Sequence, residues 1–301
     1  MKTKRLFAFL TGALLSTSVA CSDSNGDTPS DPPVHKLTPE EQAWWNKWDP
    51  IYDDIVGGDP LREMKHYLTA FNRYCYFFAE ADGGYVRLRF EPNYYLGKTE
   101  KWTQDYRYTY SFQFEDEAQR ATDDQSLWQK QFAEYESLCA RYGDTDYNRT
   151  EFTWTIQRDY LADNIVSIEV RSAADFDAQH PAGTLLNDLC TLLSASPLPY
   201  IESGYTQTYD WDADPEGYAA DPRHREYFPN APENIGSTPF ALPLADCRAD
   251  DLRLMGDGKN TLCLLRFDRA PQAGAEVQPL TITLTDECGR EIVVETTARW
   301  E

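Results

Sequence analysis

Residues 74–91 read YCYFFAEADGGYVRLRFE, and this stretch has the pattern of a β-hairpin. Two runs, residues 74–81 and 85–91, flank the tripeptide Asp82-Gly83-Gly84. Because successive side chains of a strand point to opposite faces, a period of two predicts that each run is a strand with one buried face. Glycines tolerate the positive φ that tight turns require. The stretch therefore predicts two antiparallel strands joined by a turn at the glycines.

The same period recurs elsewhere along the chain. Between residues 106 and 114, aromatic side chains alternate with polar ones, which predicts a half-buried strand. Further strands are predicted by the same reasoning at residues 151–158, 165–171, 261–267, 279–285 and 291–300. We expect the first two of these to form a second hairpin, and the last two to be joined by a turn at residues 286–289.

Four segments carry helical signals instead. A capping threonine, a proline at the first helical position and a glutamate at the third predict a helix that begins at Thr38. A second predicted helix begins near Pro60, and a third follows Thr122 and ends at Gly143, since glycine accepts the conformation that closes a helix. Closely spaced leucines predict a fourth helix that begins at Thr184.

Together these elements predict an α+β fold, in which an antiparallel sheet with several packed helices is followed by a small immunoglobulin-like β-sandwich region. We assign the α+β domain to residues 37–225 and the β domain to residues 226–301. Residues 210–236 contain few aliphatic side chains, which predicts a long surface loop near this boundary. The pattern equally allows one continuous domain.

The composition indicates a globular protein with an acidic surface. The 301 residues are 41% hydrophobic and 14% aromatic, which is enough apolar surface to form a core. With 50 Asp and Glu against 28 Lys and Arg, the formal net charge is −22. Such a chain repels phosphate backbones and anionic membrane surfaces, so we expect no nucleic-acid partner.

The N-terminus has the features of an export signal. A basic start that includes Arg5 precedes an apolar run at residues 6–15, which is too short to span a membrane, and small residues lead to Cys21. This order resembles a bacterial lipoprotein signal, in which the cysteine takes up diacylglycerol and becomes the mature N-terminus. The resemblance implies that residues 1–20 are a signal peptide and that Cys21 is lipidated. The alternative is ordinary secretion with a free Cys21 thiol.

Residues 21–36 are predicted to form a flexible tether, because they contain three prolines and almost no apolar side chains. The acidic run at residues 22–27 resembles the export signals of Bacteroidota-type surface-exposed lipoproteins. This resemblance implies an outer-membrane protein that is anchored by its lipid and faces outward, with a periplasm-facing protein as the alternative. The resemblance supplies no catalytic residues.

Four tryptophans are candidates for stacking on a ligand. Trp44, Trp45 and Trp48 share one face of the first predicted helix, and Trp211 lies in the predicted loop. Exposed indole rings can stack on sugars, although an indole face at helical spacing more commonly anchors a helix to a core.

The same loop contains a candidate Ca²⁺ site. Carboxylates at alternate positions can converge on one cation, and this pattern is formed by Asp210, Asp212, Asp214 and Glu216. Pro215 stands where an EF-hand requires glycine, which excludes a true EF-hand. A solvated acidic loop is the favoured alternative, and no other cofactor is predicted.

Six cysteines follow Cys21, and none lies in a CxxC motif, which argues against a zinc site. Cys247 and Cys288 lie in polar turns, whereas the other four lie in apolar patterns that are typical of buried thiols. An exported chain can form disulfides, and Cys247–Cys288 is the predicted pair.

The chain contains no GxSxG, HExxH, P-loop or dinucleotide-binding motif. We therefore favour a non-catalytic, lipid-anchored surface protein that binds a glycan or a partner protein and contacts the membrane only through its anchor. The alternatives are an extracellular hydrolase that uses two carboxylates and a purely structural envelope component.

Overall fold

Seven stretches of the chain are described by the computed structural model, and most of their regular structure is β-strand. They are residues 61–73, 75–92, 110–112, 125–152, 158–209, 221–228 and 236–300. The strands within them are β1 (Leu61–Met64), β2 (Ala70–Asn72), β3 (Cys75–Asp82), β4 (Tyr85–Pro92), β5 (Tyr110–Phe112), β6 (Arg149–Phe152), β7 (Asp159–Leu161), β8 (Ile165–Ser172), β9 (Cys190–Ser196), β10 (Thr238–Pro243), β11 (Thr261–Phe267), β12 (Val277–Asp286) and β13 (Glu291–Arg299). The α-helices within them are α1 (Gln125–Arg141), α2 (Leu198–Glu202) and α3 (Pro222–Tyr227). None of these helices combines the length and the apolar character needed to cross a membrane.

The hairpin predicted from residues 74–91 is confirmed. Strands β3 and β4 pair in antiparallel register, with Asp82 opposite Tyr85 across the turn. Gly83 adopts a positive φ of 58°, a backbone conformation that glycine reaches without strain. Val86 and Leu88 of β4 are completely buried, so one face of the hairpin is in the core.

Two antiparallel sheets contribute to the main core. Their strand orders are β10-β9-β11-β4-β3 and β13-β12-β8. Side chains from both sheets meet in one apolar cluster, which includes Leu88 and Leu265 from the first sheet and Ile168 and Ile282 from the second. The strands predicted near residues 261–267, 279–285 and 291–300 are confirmed as β11, β12 and β13.

The predicted fold class is wrong. Strand accounts for 42% of the structure and helix for 19%, so the chain is not an α+β domain with several packed helices followed by a small immunoglobulin-like sandwich. Strands from both sides of residue 225 pair with one another, since β4 pairs with β11 and β8 pairs with β12. Local alternation identifies strands but does not identify partners this distant in sequence.

Two predicted helices are strands instead. The segment after Pro60 forms β1 and β2, and the leucine-rich segment after Thr184 forms a single 3₁₀ turn followed by β9. In β9, Leu192 lies in the main core, whereas Leu193 packs beneath α3 on the opposite face. Because both faces of β9 are covered, the adjacent residues Leu192 and Leu193 are both apolar, and the strand lacks the alternation of a half-buried strand.

The second predicted hairpin is not seen among the described residues. Strand β6 pairs with β1, and β8 pairs with β12. Residues 153–157, which form most of the predicted strand at 151–158, lie outside the described residues. The strand predicted between residues 106 and 114 is described only as the short β5.

The helix predicted after Thr122 is confirmed as α1. It ends as expected at Gly143, whose φ is +73° and whose N–H donates to the carbonyl of Ala140 at 3.1 Å. Tyr135 and Cys139 of α1 are buried in a second apolar cluster, together with Phe71 of β2. This cluster packs α1 against the small sheet β5-β2-β7.

Candidate functional site

Most of the predicted site residues lie outside the described residues. These are the lipidation site Cys21, the stacking candidates Trp44, Trp45, Trp48 and Trp211, and the calcium candidates Asp210, Asp212, Asp214 and Glu216. The predictions of a lipid anchor, of tryptophan stacking and of calcium binding therefore stay predictions.

The predicted disulfide is not formed, because Cys247 and Cys288 are both free cysteines. Cys247 follows a 3₁₀ turn after β10, and its thiol donates to the carbonyl of Pro243 at 3.5 Å. Burial raises the pKa of the Cys247 thiol to about 11. Cys288 is exposed in the turn between β12 and β13. A polar setting, which these cysteines share, does not determine whether their sulfur atoms approach each other.

The outer face of the β3–β4 hairpin combines aromatic rings with charged side chains. Three cross-strand pairs form it, and we call these six residues the hairpin face: Tyr76 opposite Glu91, Phe78 opposite Arg89, and Glu80 opposite Arg87. The alternate residues of both strands pack against the main core, so the hairpin face is directed away from that core.

Ion pairs hold the charged side chains of the hairpin face in place. Arg89 lies between two carboxylates, with its Nε 2.9 Å from Oε1 of Glu80 and its Nη2 2.9 Å from Oε1 of Glu91. The guanidinium of Arg89 also lies 5.1 Å from the ring centre of Phe78. Tyr76 is 37% exposed and Glu80 is 52% exposed, whereas Arg87, Arg89 and Glu91 are each less than one-quarter exposed, so only part of the face is open to solvent.

Helix α3 covers the neighbouring part of the same sheet. Asp221 caps α3 and accepts a hydrogen bond from Nη1 of Arg266 on β11 at 2.9 Å. His224 is completely buried, and its Nε2 donates to the carbonyl of Ser194 on β9 at 2.8 Å. Burial lowers the pKa of His224 to about 4, which keeps its imidazole neutral near pH 7. The hairpin face adjoins α3, because the guanidinium of Arg87 lies 4.7 Å from the ring centre of Tyr227 in that helix.

A second cluster has the residue types of a metal centre. The side chains of His66, Cys139 and Asp144 are buried, and their ligand atoms lie within 4.8 Å of one another. The carboxylate of Asp144, however, accepts hydrogen bonds from the N–H groups of Tyr67 and Leu68, each at 2.8 Å. These bonds join the end of α1 to the segment between β1 and β2.

The other potential metal-ligand atoms of Asp144 and His66 also take part in hydrogen bonds. The Asp144 carboxylate accepts a third bond, from the Tyr205 hydroxyl at 2.8 Å. Nδ1 of His66 bonds the backbone carbonyl of Asp144, and its Nε2 lies 3.1 Å from Oε1 of Glu136. Burial raises the pKa of the Cys139 thiol, whereas metal binding requires a thiolate. These contacts favour a structural junction over a metal centre.

A third cluster contains a histidine between two carboxylates. Nδ1 of His180 lies 2.8 Å from Oδ1 of Asp177, and its Nε2 lies 3.1 Å from Oδ2 of Asp188. The hydrogen bond with Asp177 is the main cause that raises the pKa of His180 above its usual value of 6.5. The cluster joins the loop after β8 to the 3₁₀ turn before β9.

In two clusters of ion pairs, one arginine bridges two carboxylates. Arg89 bridges Glu80 and Glu91, and Arg290 bridges Asp163 and Asp286. A paired-carboxylate hydrolase needs two carboxyl groups that face the scissile bond from opposite sides. In both clusters an arginine lies between the two carboxylates instead. These pairs therefore give no support to the hydrolase alternative.

Comparisons with known proteins return no match to this chain among protein-family models, curated proteins or solved structures. Function is therefore inferred from the described side chains.

Sequence reasoning located the hairpin but overlooked its outer face as a site. The signal is present in the quoted stretch, because Tyr76 and Phe78 alternate with residues that a core requires. Val86 and Leu88 of β4 are buried in the core. The strand register therefore places the remaining aromatic and charged side chains of the hairpin on its outer face.

We predict that Asp144→Asn lowers the free energy of unfolding by about 1–3 kcal/mol, because the amide turns a donor toward a buried backbone N–H that then lacks an acceptor. Urea denaturation followed by intrinsic fluorescence measures this loss. Asp146→Asn is the matched control, since Asp146 is exposed and its carboxylate bonds only its neighbour Thr145 among the described hydrogen bonds. If a chelator destabilised the wild type as strongly as Asp144→Asn does, the cluster would be a metal centre.

We predict that the contribution of His180 to stability is pH-dependent. Its folded-state pKa is raised above 6.5, so the stabilisation is fully present below about pH 6.5 and is lost as the pH rises through the folded-state value. The destabilisation caused by His180→Gln should therefore be larger at about pH 5.5 than at about pH 8.5. Denaturation of both proteins at the two pH values measures the difference. An equal effect at both would show that the imidazolium charge contributes nothing.

Proposed function

We propose that this chain is a non-catalytic binding protein of the cell surface, anchored in the outer membrane by a lipid on Cys21. Its hairpin face contacts a glycan or a partner protein. The observation that carries this proposal is the exposure of Tyr76 beside Phe78 and Arg89 on the outer face of the hairpin. Aromatic and arginine side chains are the residues that binding surfaces most often use as anchors.

The rigidity of the hairpin face supports a binding role. The hairpin backs directly onto the main core, and ion pairs restrict Glu80, Arg89 and Glu91 on its outer face. Side chains that are ordered before a ligand arrives lose less conformational entropy on binding. A preformed surface of this kind suits recognition of a ligand and requires no conformational change.

The N-terminal segments support the proposed location. The predicted tether at residues 21–36 gives the folded part a root-mean-square reach of about 20 Å from the bilayer, if it behaves as a random coil of its length. The net charge of −22 repels anionic surfaces, which keeps the folded part away from the membrane that holds the anchor.

We predict that Cys21→Ala releases the protein from the membrane and leaves its fold intact, because the proposed lipid is attached to Cys21, outside the folded part. Detergent partitioning and incorporation of a labelled fatty acid measure the anchor. Cys288→Ala is the matched control, since Cys288 is an exposed thiol within the folded part. Unchanged partitioning of Cys21→Ala would refute the anchor.

We predict that the double variant Tyr76→Ser, Phe78→Ser lowers ligand retention by cells that display the protein, because it removes both rings from the hairpin face. Fluorescently labelled polysaccharide and protein fractions of spent growth medium serve as probes. Val293→Ser is the matched control, since Val293 is a large apolar side chain that is 57% exposed on the other sheet. Equal retention by both variants and by the wild type would exclude the hairpin face as the binding site.

A further inference from the structure

We propose that a proton on His180 holds residues 173–183 closed against the main core, and that this segment, which we call the strap, opens as the pH rises above neutrality. The strap follows β8 and leads to the 3₁₀ turn Asn187–Leu189. It lies outside the hairpin face, so this inference is independent of the proposed function.

One aromatic side chain of the strap belongs to the main core. Phe176 is completely buried, and its ring stacks on that of Phe267 in β11 at a centroid distance of 5.7 Å. The ring of Trp300, which follows β13, meets Phe176 edge-on at 5.9 Å. The N–H of Phe176 donates to the carbonyl of His180 at 2.9 Å, so the ring and the imidazole belong to one turn of the chain. The strap therefore covers apolar surface that its opening would expose to water.

The imidazole of His180 is held at both ring nitrogens. Its Nδ1 lies 2.8 Å from Oδ1 of Asp177, and its Nε2 lies 3.1 Å from Oδ2 of Asp188. Asp177 belongs to the strap, whereas Asp188 belongs to the 3₁₀ turn, so only the second contact joins two elements. The Asp177 carboxylate also accepts a hydrogen bond from the guanidinium of Arg269, in the segment after β11. Asp177, Asp188 and, through Asp177, Arg269 are the charged side chains that the described contacts place around His180.

Only a protonated imidazole can make both contacts as hydrogen bonds. A neutral imidazole has one N–H and one lone pair, an imidazolium has two N–H groups, and a carboxylate only accepts. Loss of the proton therefore leaves one ring nitrogen with its lone pair toward a carboxylate oxygen. We expect that nitrogen to be Nε2, because Asp188 is 61% exposed and water can solvate it, whereas Asp177 is 13% exposed. The contact that is lost is then the one that joins the strap to the 3₁₀ turn.

The pKa of His180 gives the direction of the response. The hydrogen bond with Asp177 is the main cause that raises this pKa above its usual value of 6.5, and the bond with Asp188 raises it further. The Asp188 bond exists only in the closed strap, so closure is favoured fully below about pH 6.5 and loses this support as the pH rises through the folded-state value. The Asp177 bond can persist after opening, and solvent screens Asp188. We therefore expect the opening equilibrium to change by about threefold.

Amide hydrogen exchange of the purified full chain, measured by mass spectrometry, tests this response. The probe is the segment 173–183, in which the N–H groups of Phe176, His180 and Gly183 donate backbone hydrogen bonds. The measured rate divided by the intrinsic rate at the same pH gives the protection, which reports the opening equilibrium. We expect protection of the strap to fall about threefold between about pH 5.5 and about pH 8.5. Strand β12 is the internal reference for changes in global stability.

Two variants assign the response to the contact between the strap and the 3₁₀ turn. His180→Gln removes the titrating group, so its strap protection should be the same at both pH values and close to that of the wild type at high pH. Asp188→Asn removes the carboxylate on the turn and should also abolish the response. Glu169→Gln is the matched control, because Glu169 is an exposed carboxylate of β8 that pairs with Arg171. It should respond as the wild type does.

Each outcome decides the proposal. A response that is lost in His180→Gln and Asp188→Asn and kept in Glu169→Gln supports it. Strap protection that does not change with pH in the wild type overturns it, and so does a response that survives in His180→Gln, because another group would then be titrating. A response that survives only in Asp188→Asn shows that the proton does not control the contact with the turn, which also overturns it. Asp188 is exposed, so this variant keeps the test decisive if His180→Gln does not fold.

Discussion

Burial of one face of the β3–β4 hairpin in the main core determines what the opposite face presents. Val86, Leu88 and Phe90 are buried, so the alternate residues Arg87 and Arg89 have to point outward. A register shift of one residue would place both guanidinium groups in an apolar core, at a cost of several kcal/mol for each charge. The composition of the hairpin face is therefore a consequence of the same packing that forms the fold.

The second core depends on a different interaction, the hydrogen bonds to the Asp144 carboxylate. Helix α1 ends just before Asp144, and the carboxylate accepts the N–H groups of Tyr67 and Leu68 between β1 and β2. Burial raises the pKa of Asp144, and these hydrogen bonds oppose that effect. Tyr67 and Leu68 lie between β1 and β2, and their N–H groups are buried. Without the Asp144 carboxylate, these donors would lack acceptors.

The sequence predicts those elements that have one covered face and one exposed face. The β3–β4 hairpin, α1, β12 and β13 meet this condition, and each was located from its own period. Strand β11 was located as well, although Leu264 and Leu265 pack on its opposite faces. Strand β9 does not meet the condition either, because Leu192 and Leu193 face different cores, so its leucines suggested a helix. The fold class failed for another reason, since the pairing of β4 with β11 joins residues too far apart for any local pattern to reveal. For the hairpin face, the sequence supplied the residues, and only the packing of the core showed which of them point outward.

The formal charges on the hairpin face balance, although the chain as a whole is strongly acidic. Arginines occur where carboxylates converge: Arg89 joins Glu80 to Glu91, and Arg290 joins Asp163 to Asp286. Each arginine offsets one of the two carboxylate charges that it joins, and the chain as a whole carries a net charge of −22. Electrostatic steering mainly accelerates association, and a locally neutral site forgoes that acceleration. If the hairpin face is the binding site that we propose, recognition there depends on side-chain geometry, which the ion pairs and the buried side of the hairpin hold in place.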